Sequence, residues 1–446
     1  MKRITLSAAT LVALLSVTPE IVAQSTESTQ QTSIVAQNDN KKMSLSLQDA
    51  INYALEHNRQ LKNASLEVQK AEMQRWQTIA QMLLNIDGNI GYYNMFGEEL
   101  KFIEGMPGSP MNPYLQMDLK ASAGLSAQGI IGAQMKRMAK EIQETSVLKS
   151  QQETKYSVEA TYTQILALEE TVRLLEKNLE DLDKLKSMTD NAVKAGVAEQ
   201  NDANQISIQV ASLKSGVNTT KRQIESLYNA LILNIGADSD AEITLTQSLD
   251  DVVNAGTIIE LVNSNLDLNQ NLDYQMLTKK TEITDKQKQL AVAAFIPSLG
   301  VAYNYSNKHY FGDASPNMSP KNTFVATVNV PIFSSGKRTC AVKEAKIAQI
   351  EQANTVEDTE IGLKVKEKQL KYNLTSAYEN YTIQKDNIQV MSDLFNSYGE
   401  KFKHGRASSM DVTNSSMSLN SAQSDYIKAV LEMVNANIEL KKLLNK

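Results

Sequence analysis

The residues of this chain that could do chemistry are few and scattered. His57, His309 and His404 stand far apart, with no spacing that would bring two of them to one metal ion. Cys340 is the single cysteine, which excludes an internal disulfide and a thiolate cluster within one chain. No nucleophile and base share a motif, no glycine-rich phosphate loop is present, and no catalytic pair of carboxylates can be read. The expectation is therefore no enzyme, no metal and no cofactor. What does recur is a glycine followed six residues later by an aspartate. Ala195-Gly196-Val197-Ala198-Glu199-Gln200-Asn201-Asp202 has a counterpart in His404-Gly405-Arg406-Ala407-Ser408-Ser409-Met410-Asp411. The glycine supplies a left-handed helix stop, and the aspartate could N-cap the next helix. Each segment reads as the tip of a helical hairpin.

Long helices must carry those tips. Leu168, Val172, Leu175, Leu179 and Leu182 step by four and three, as do Ile388, Met391, Phe395, Tyr398 and Phe402. The last stretch continues through Leu419, Ala422, Tyr426, Ala429, Met433, Ala436, Leu440 and Leu443. Such spacing is a coiled-coil seam. Helices over 133–194 and 338–403 would each be about 90–100 Å long at 1.5 Å per residue. Aromatic residues make up only 6% of the chain, which suits narrow seams better than a thick core. Trp76 is expected in such a seam or at a membrane interface.

Two segments break the helical period with an alternation of two. Leu115, Met117, Leu119, Ala121, Ala123 and Leu125 alternate with Gln116, Asp118, Lys120 and Ser122. Ile86, Ile90, Tyr92 and Phe96 oppose Asp87 and Asn89. Later, Leu299, Val301, Tyr303 and Tyr305 form one apolar set. Phe324, Ala326, Val328, Val330 and Ile332 form another, opposite Thr327 and Asn329. Strands are expected at about 85–96, 114–127, 298–307 and 323–333, with long loops over 97–113 and 308–322. About ten residues per strand matches a tilted membrane strand.

The N-terminus supports export. Lys2 and Arg3 precede an apolar run over 4–17, Pro19 ends it, and Ala23 offers a cleavage site. Residues 1–23 are read as a signal peptide and 24–42 as a polar, disordered segment. The remainder divides into repeat one (43–236), then an equatorial segment with repeat two (237–446). A net charge of −6 gives no nucleic-acid footprint. Four strands cannot close a barrel, since membrane barrels begin at about eight, and open edges in lipid leave backbone groups unpaired. The barrel must be shared between chains. The fold class expected is mostly α, with coiled-coil hairpins and a shared transmembrane β-barrel.

This order of elements resembles the TolC-like outer membrane factor family. The resemblance rests on Leu45-Ser46-Leu47-Gln48-Asp49-Ala50, on Ala54-Leu55-Glu56-His57-Asn58, on Val330-Pro331-Ile332-Phe333-Ser334-Ser335-Gly336-Lys337, and on the two tips. It implies a homotrimer with a twelve-stranded barrel in outer-membrane lipid and a hollow periplasmic helical tunnel. It implies an equatorial girdle, here sought in 237–268 and the C-terminal end. It also implies a tripartite efflux or type I secretion system, in which the tips Gly196, Val197, Ala198, Gly405, Arg406, Ala407 and Ser408 dock a periplasmic adaptor. The third component would be an inner-membrane RND or ABC-type transporter. Asp202 and Asp411 match gate aspartates, and three copies of each would ring one axis, where crowding raises pKa and favours cations. Phe402 stands where some members carry tyrosine, Ala407 where they carry arginine, and Asn414 where they carry a second aspartate. Leu84 replaces the usual proline at the first strand's start. Two other classes fit less of the chain. A periplasmic coiled-coil adaptor would need a lipoyl-like or β-barrel domain, and a filamentous scaffold would have no use for the strands.

Overall fold

The computed structural model describes residues 42–96, 99–100, 109–110, 112–196, 198–252, 255–311 and 320–446. The expected signal peptide, most of the 24–42 segment, much of the two long loops, and Val197 lie outside these residues. The chain divides between Lys42 and Met43. Lys42 is the only described residue of the first unit, and the second unit, Met43–Lys446, holds all the others.

The fold is predominantly helical with one four-stranded sheet. Strand β1 (Lys42–Leu45) is followed by helices α1 (Leu47–His57) and α2 (Arg59–Ala80), then strands β2 (Asn85–Tyr93) and β3 (Tyr114–Leu125). Helix α3 (Ala127–Lys194) runs out to the first tip, and α4 (Gln200–Ile235) returns from it. A connecting region holds β4 (Glu242–Leu245), which forms a two-stranded sheet with β1, and two short helices over 249–252 and 255–263. The plan then repeats as α5 (Leu272–Ala293), β5 (Ser298–Tyr310), β6 (Asn322–Asn329), α6 (Lys337–Lys403) and α7 (Ser409–Leu444). The outgoing helices have 68 and 67 residues and the return helices 36 each, so the two repeats match almost residue for residue.

The helices start and stop for local reasons. Ser46 accepts from the Asp49 amide while Asp49 reaches back to Ser46, a capping box that opens α1. Asn58 separates α1 from α2: its Oδ1 accepts from the amides of Gln60 and Leu61, and its Nδ2 donates to Asn234 O at 2.7 Å. Gly236, at φ +76, ends α4 in the left-handed region. The Gly236 and Ala237 amides both donate to Ile232 O.

The contacts between helices define two layers. Near the sheet, α2 packs on α3, α3 on α5, and α5 on α6. Lys140–Glu72, Lys279–Glu141 and Lys149–Asp273 ion pairs tie these neighbours together. Near the tips, α4 packs on α3, α3 on α7, and α7 on α6. Helices α3 and α6 therefore run through both layers. The larger core cluster joins Tyr156, Tyr162, Ile165, Leu231, Ile235, Met433 and Leu440, and the smaller one joins Leu175, Leu182, Leu213, Phe395, Val412 and Leu419. Tyr162 Oη donates to Leu45 O at 3.0 Å, holding the first strand on this core. Burial raises the pKa of the Tyr162 hydroxyl above its ordinary value.

Candidate functional sites on the sheet and the helix tips

The sheet has the strand order β2-β3-β5-β6, and every neighbouring pair is antiparallel. Paired residues point to the same face, so the register can be traced across all four strands. Ile86 pairs with Ala121, Ala121 with Tyr303, and Tyr303 with Phe324. Gly88 pairs with Leu119 and Leu119 with Tyr305, while Leu299 pairs with Leu125 and with Val328. These rows make one face apolar over most of its height. The opposite face carries Asp87, Lys120 and Asn304 in one row, and Asn89, Asp118 and Ser306 in the next. The apolar face is open within one chain: Ile90, Phe324 and Val328 are 66%, 70% and 61% exposed. Both outer strands, β2 and β6, also present an edge that no other strand pairs with among the described residues. A sheet with a bare apolar face and two open edges is incomplete in water and in lipid alike.

On the polar face the strands end, near the long loops, in an aromatic row. Tyr93 stacks on Tyr114 with ring centroids 5.0 Å apart, Tyr310 lies 5.1 Å from Tyr114 on its other side, and the Lys308 ammonium sits 5.3 Å from the Tyr114 centroid. Sequence alternation marks these tyrosines only as strand formers. Their alignment needs the register between strands some two hundred residues apart.

The tips are built as the glycines require. Gly196 and Gly405 have φ of +74 and +67, and a Cβ at either would meet nothing within 4 Å. Glycine is needed there for its backbone angle and not for space. The Gly405 amide donates to Phe402 O at 2.9 Å and the Arg406 amide to Lys401 O at 2.8 Å, which closes the end of α6. Gly405, Arg406 and Ser408 are exposed, Ala198 and Ala407 are half-buried, and Val197 lies outside the described residues.

The aspartates do not stand where N-caps stand. The N-caps are Glu199 and Ser408, and Asp202 and Asp411 occupy the third position of their helices. Asp411 Oδ2 accepts from the Ser408 amide at 2.9 Å and hydroxyl at 2.8 Å, while the Asp411 amide donates back to Ser408 Oγ. This is a capping box. Those two bonds to Ser408 hold the Asp411 carboxyl below its ordinary value, so within one chain its cap is lost only as pH falls through that lowered value.

Asp202 completes a capping box with Glu199 and also reaches beyond its own helix. Its Oδ2 meets the Glu199 amide at 3.4 Å, and its Oδ1 accepts from the hydroxyl of Ser409, the first helical residue of the other tip. Gln205 Nε2 donates to Met410 Sδ at 3.2 Å beside this bond. The first tip is thus joined to the second through Asp202, while Asp411 is satisfied locally. Phe402 packs on the smaller core cluster, and Asn414 is exposed on α7. Nothing local in the sequence marks Ser409, because its partner lies 207 residues away.

Among the described residues no group of three His, Cys, Asp or Glu is close enough to hold a metal ion, and no helix is long and apolar enough to cross a membrane. Residues 264–446 match the family model described as outer membrane efflux protein. No curated protein sequence matches significantly. Among solved structures the chain is similar to CusC, at 17% identity and a TM-score of 0.73, covering 93% of this chain and 96% of that one. It is similar to the outer membrane protein VceC from Vibrio cholerae, at 15% identity and a TM-score of 0.71, covering 89% and 95%. It is also similar to the open state of the MtrE outer membrane channel from Neisseria gonorrhoeae, at 18% identity and a TM-score of 0.71, covering 89% and 88%.

Proposed function

We propose that this chain, similar over residues 264–446 to the outer membrane efflux proteins and folded like the TolC-like channels, is one protomer of an outer-membrane efflux duct. The observation that carries this reading is the four-stranded sheet with one continuous apolar face and two open edges. Lipid covers such a face, and further copies of the same sheet close such edges. The helices beside those edges have matching character. On α2, Leu66, Met73 and Trp76 are more than half exposed. On α6, Ile350, Ile361, Tyr372, Ile383 and Leu394 recur every eleven residues, all of them exposed. An eleven-residue repeat keeps one stripe facing one way along a nearly straight helix. Joining β6 and α6 of one copy to β2 and α2 of the next is a head-to-tail contact that closes into a ring. Two copies would reach eight strands, the lower limit of membrane barrels; the family resemblance selects three copies and twelve strands.

The same resemblance supplies the partners, a periplasmic adaptor at the tips and an inner-membrane RND or ABC-type transporter behind it. Isolation from the outer-membrane fraction as a heat-modifiable trimer that conducts ions in a planar bilayer tests the reading. A water-soluble monomer without conductance would remove it.

Tip docking makes a separate prediction. Gly405→Val, placed at φ +67 where no neighbour limits the side chain, strains the backbone by about 1–3 kcal/mol and leaves the distant sheet untouched. The expected result is normal trimer in the membrane with transport lost and adaptor cross-linking reduced. Transport at the parental level would place docking elsewhere.

Gating makes another. Asp202→Asn combined with Asp411→Asn should weaken cation preference, read as a smaller reversal potential in a salt gradient, and should reduce block by divalent ions. Unchanged selectivity and block would leave Asp411 as a cap and Asp202 as a tie between the tips.

A further inference from the structure

Helices α3 and α7, along which the two hairpins of one chain meet, carry buried polar groups that take no part in the tip contacts. Asn178 is 3% exposed, and neither Nδ2 nor Oδ1 finds a hydrogen-bond partner among the described residues. On α7, Thr413 Oγ1, Ser416 Oγ and Gln423 Oε1 are buried and unpartnered in the same way. The Glu159–Lys441 ion pair, at 2.7 Å, fixes the antiparallel alignment of the two helices. Nineteen residues down α3 from Glu159 is Asn178, and nineteen back along α7 from Lys441 is Ala422, next to Gln423. The two amides therefore share one level of the seam, between Leu175 and Leu182 on one side and Leu419 on the other.

We infer that Asn178 and Gln423 form a polar layer that sets the register of α3 on α7 and decides which hairpin lies inside the bundle. The need for such a device comes from the near-identity of the repeats. Two hairpins with equal 36-residue return helices could pack in either order, or slip by a heptad, with similar apolar burial. A polar residue in a coiled-coil core lowers stability and removes the alternatives in which it would face only apolar side chains.

The counterparts in the other repeat agree. Counting from the tip glycines, Gln423 corresponds to Lys214, which is exposed, and Asn178 to Asn387, whose amide reaches Gln384 Oε1. Placing α4 in the central position held by α7 would bury a lysine at this level. The inference rests on the packing within one chain and not on the transport reading.

Cross-linking tests it directly in a Cys340→Ser background. Leu182→Cys with Leu419→Cys reports the observed register, and Leu182→Cys with Tyr426→Cys reports a slip of one heptad. In the parent, only the first pair should link. Adding Asn178→Leu and Gln423→Leu should raise the slipped product several-fold, with helical circular dichroism retained. Slipped product at the parental level in the folded double-leucine chain would overturn the inference. If that chain does not fold, Asn178→Leu alone is read in the same way, with the same two outcomes.

Discussion

Val328→Arg should abolish the assembled form of this protein, whereas Thr327→Arg, one residue away, should leave most of it intact. Val328 pairs with Leu299 on the apolar face and is 61% exposed, while Thr327 pairs with Gly300 on the polar face. A cation aimed at mid-bilayer lipid costs about 2–4 kcal/mol, and ring closure repeats that cost in every copy. Leu119→Arg, on the same face through its pairs with Gly88 and Tyr305, should behave like Val328→Arg. Gln116→Arg should behave like Thr327→Arg. The measurement is the fraction of heat-modifiable oligomer in the outer-membrane fraction at equal expression. Equal losses at all four positions would mean that neither face meets lipid.

The second large effect is expected at Gly236→Val, which should strongly lower the thermal stability of the chain. A Cβ built at Gly236 lies 2.6 Å from His57 O and 3.0 Å from Asn58 Cα, both backbone atoms. Neither can move without breaking the junction of α1 and α2, where Asn58 bonds Asn234 O and the amides of Gln60 and Leu61. The residue also sits at φ +76, which a β-branched side chain rarely adopts. Overpacking and backbone strain together cost roughly 3 kcal/mol or more. Gly216→Ala is the control: it lies inside α4 with nothing within 4 Å, and alanine there should stabilise by about 0.5–1 kcal/mol. Thermal unfolding of the two variants should move in opposite directions, and a Gly236→Val midpoint equal to the parent's would refute the close-approach argument.

Much of this architecture is legible in residue order because it depends on local rules. Tip glycines announce themselves where only a left-handed residue ends a helix. Alternation of two marks the strands, and the faces it assigns agree with the observed register from Ile86 through Ala121 and Tyr303 to Phe324. Interactions between distant segments are not legible. The tie from Ser409 to Asp202 and the approach of Gly236 to His57 join segments about two hundred residues apart. Counting from the glycine also misplaces the aspartates. Ser408 and Asp411 stand three apart, the spacing of a capping box, yet that count puts the aspartate at the cap itself. Nor does a heptad show how many sides of a helix are covered. Helix α7 buries Val412, Ser416, Leu419, Gln423 and Val430, packed between α3 and α6, whereas α4 leaves Ile208 and Leu233 more than two-thirds exposed.

Equal hairpin lengths tie together parts of the gene that never touch in sequence. Helices α3 and α6 differ by one residue, and α4 and α7 not at all. Lengthening one hairpin by two turns would leave its tip about 10 Å beyond the other at 1.5 Å per residue, and would pull Asp202 away from Ser409. Insertions and deletions in this chain should therefore be tolerated as matched sets, one in each arm of both hairpins. A single frame-preserving insertion in any one arm should be harmful even where every inserted residue is a good helix former.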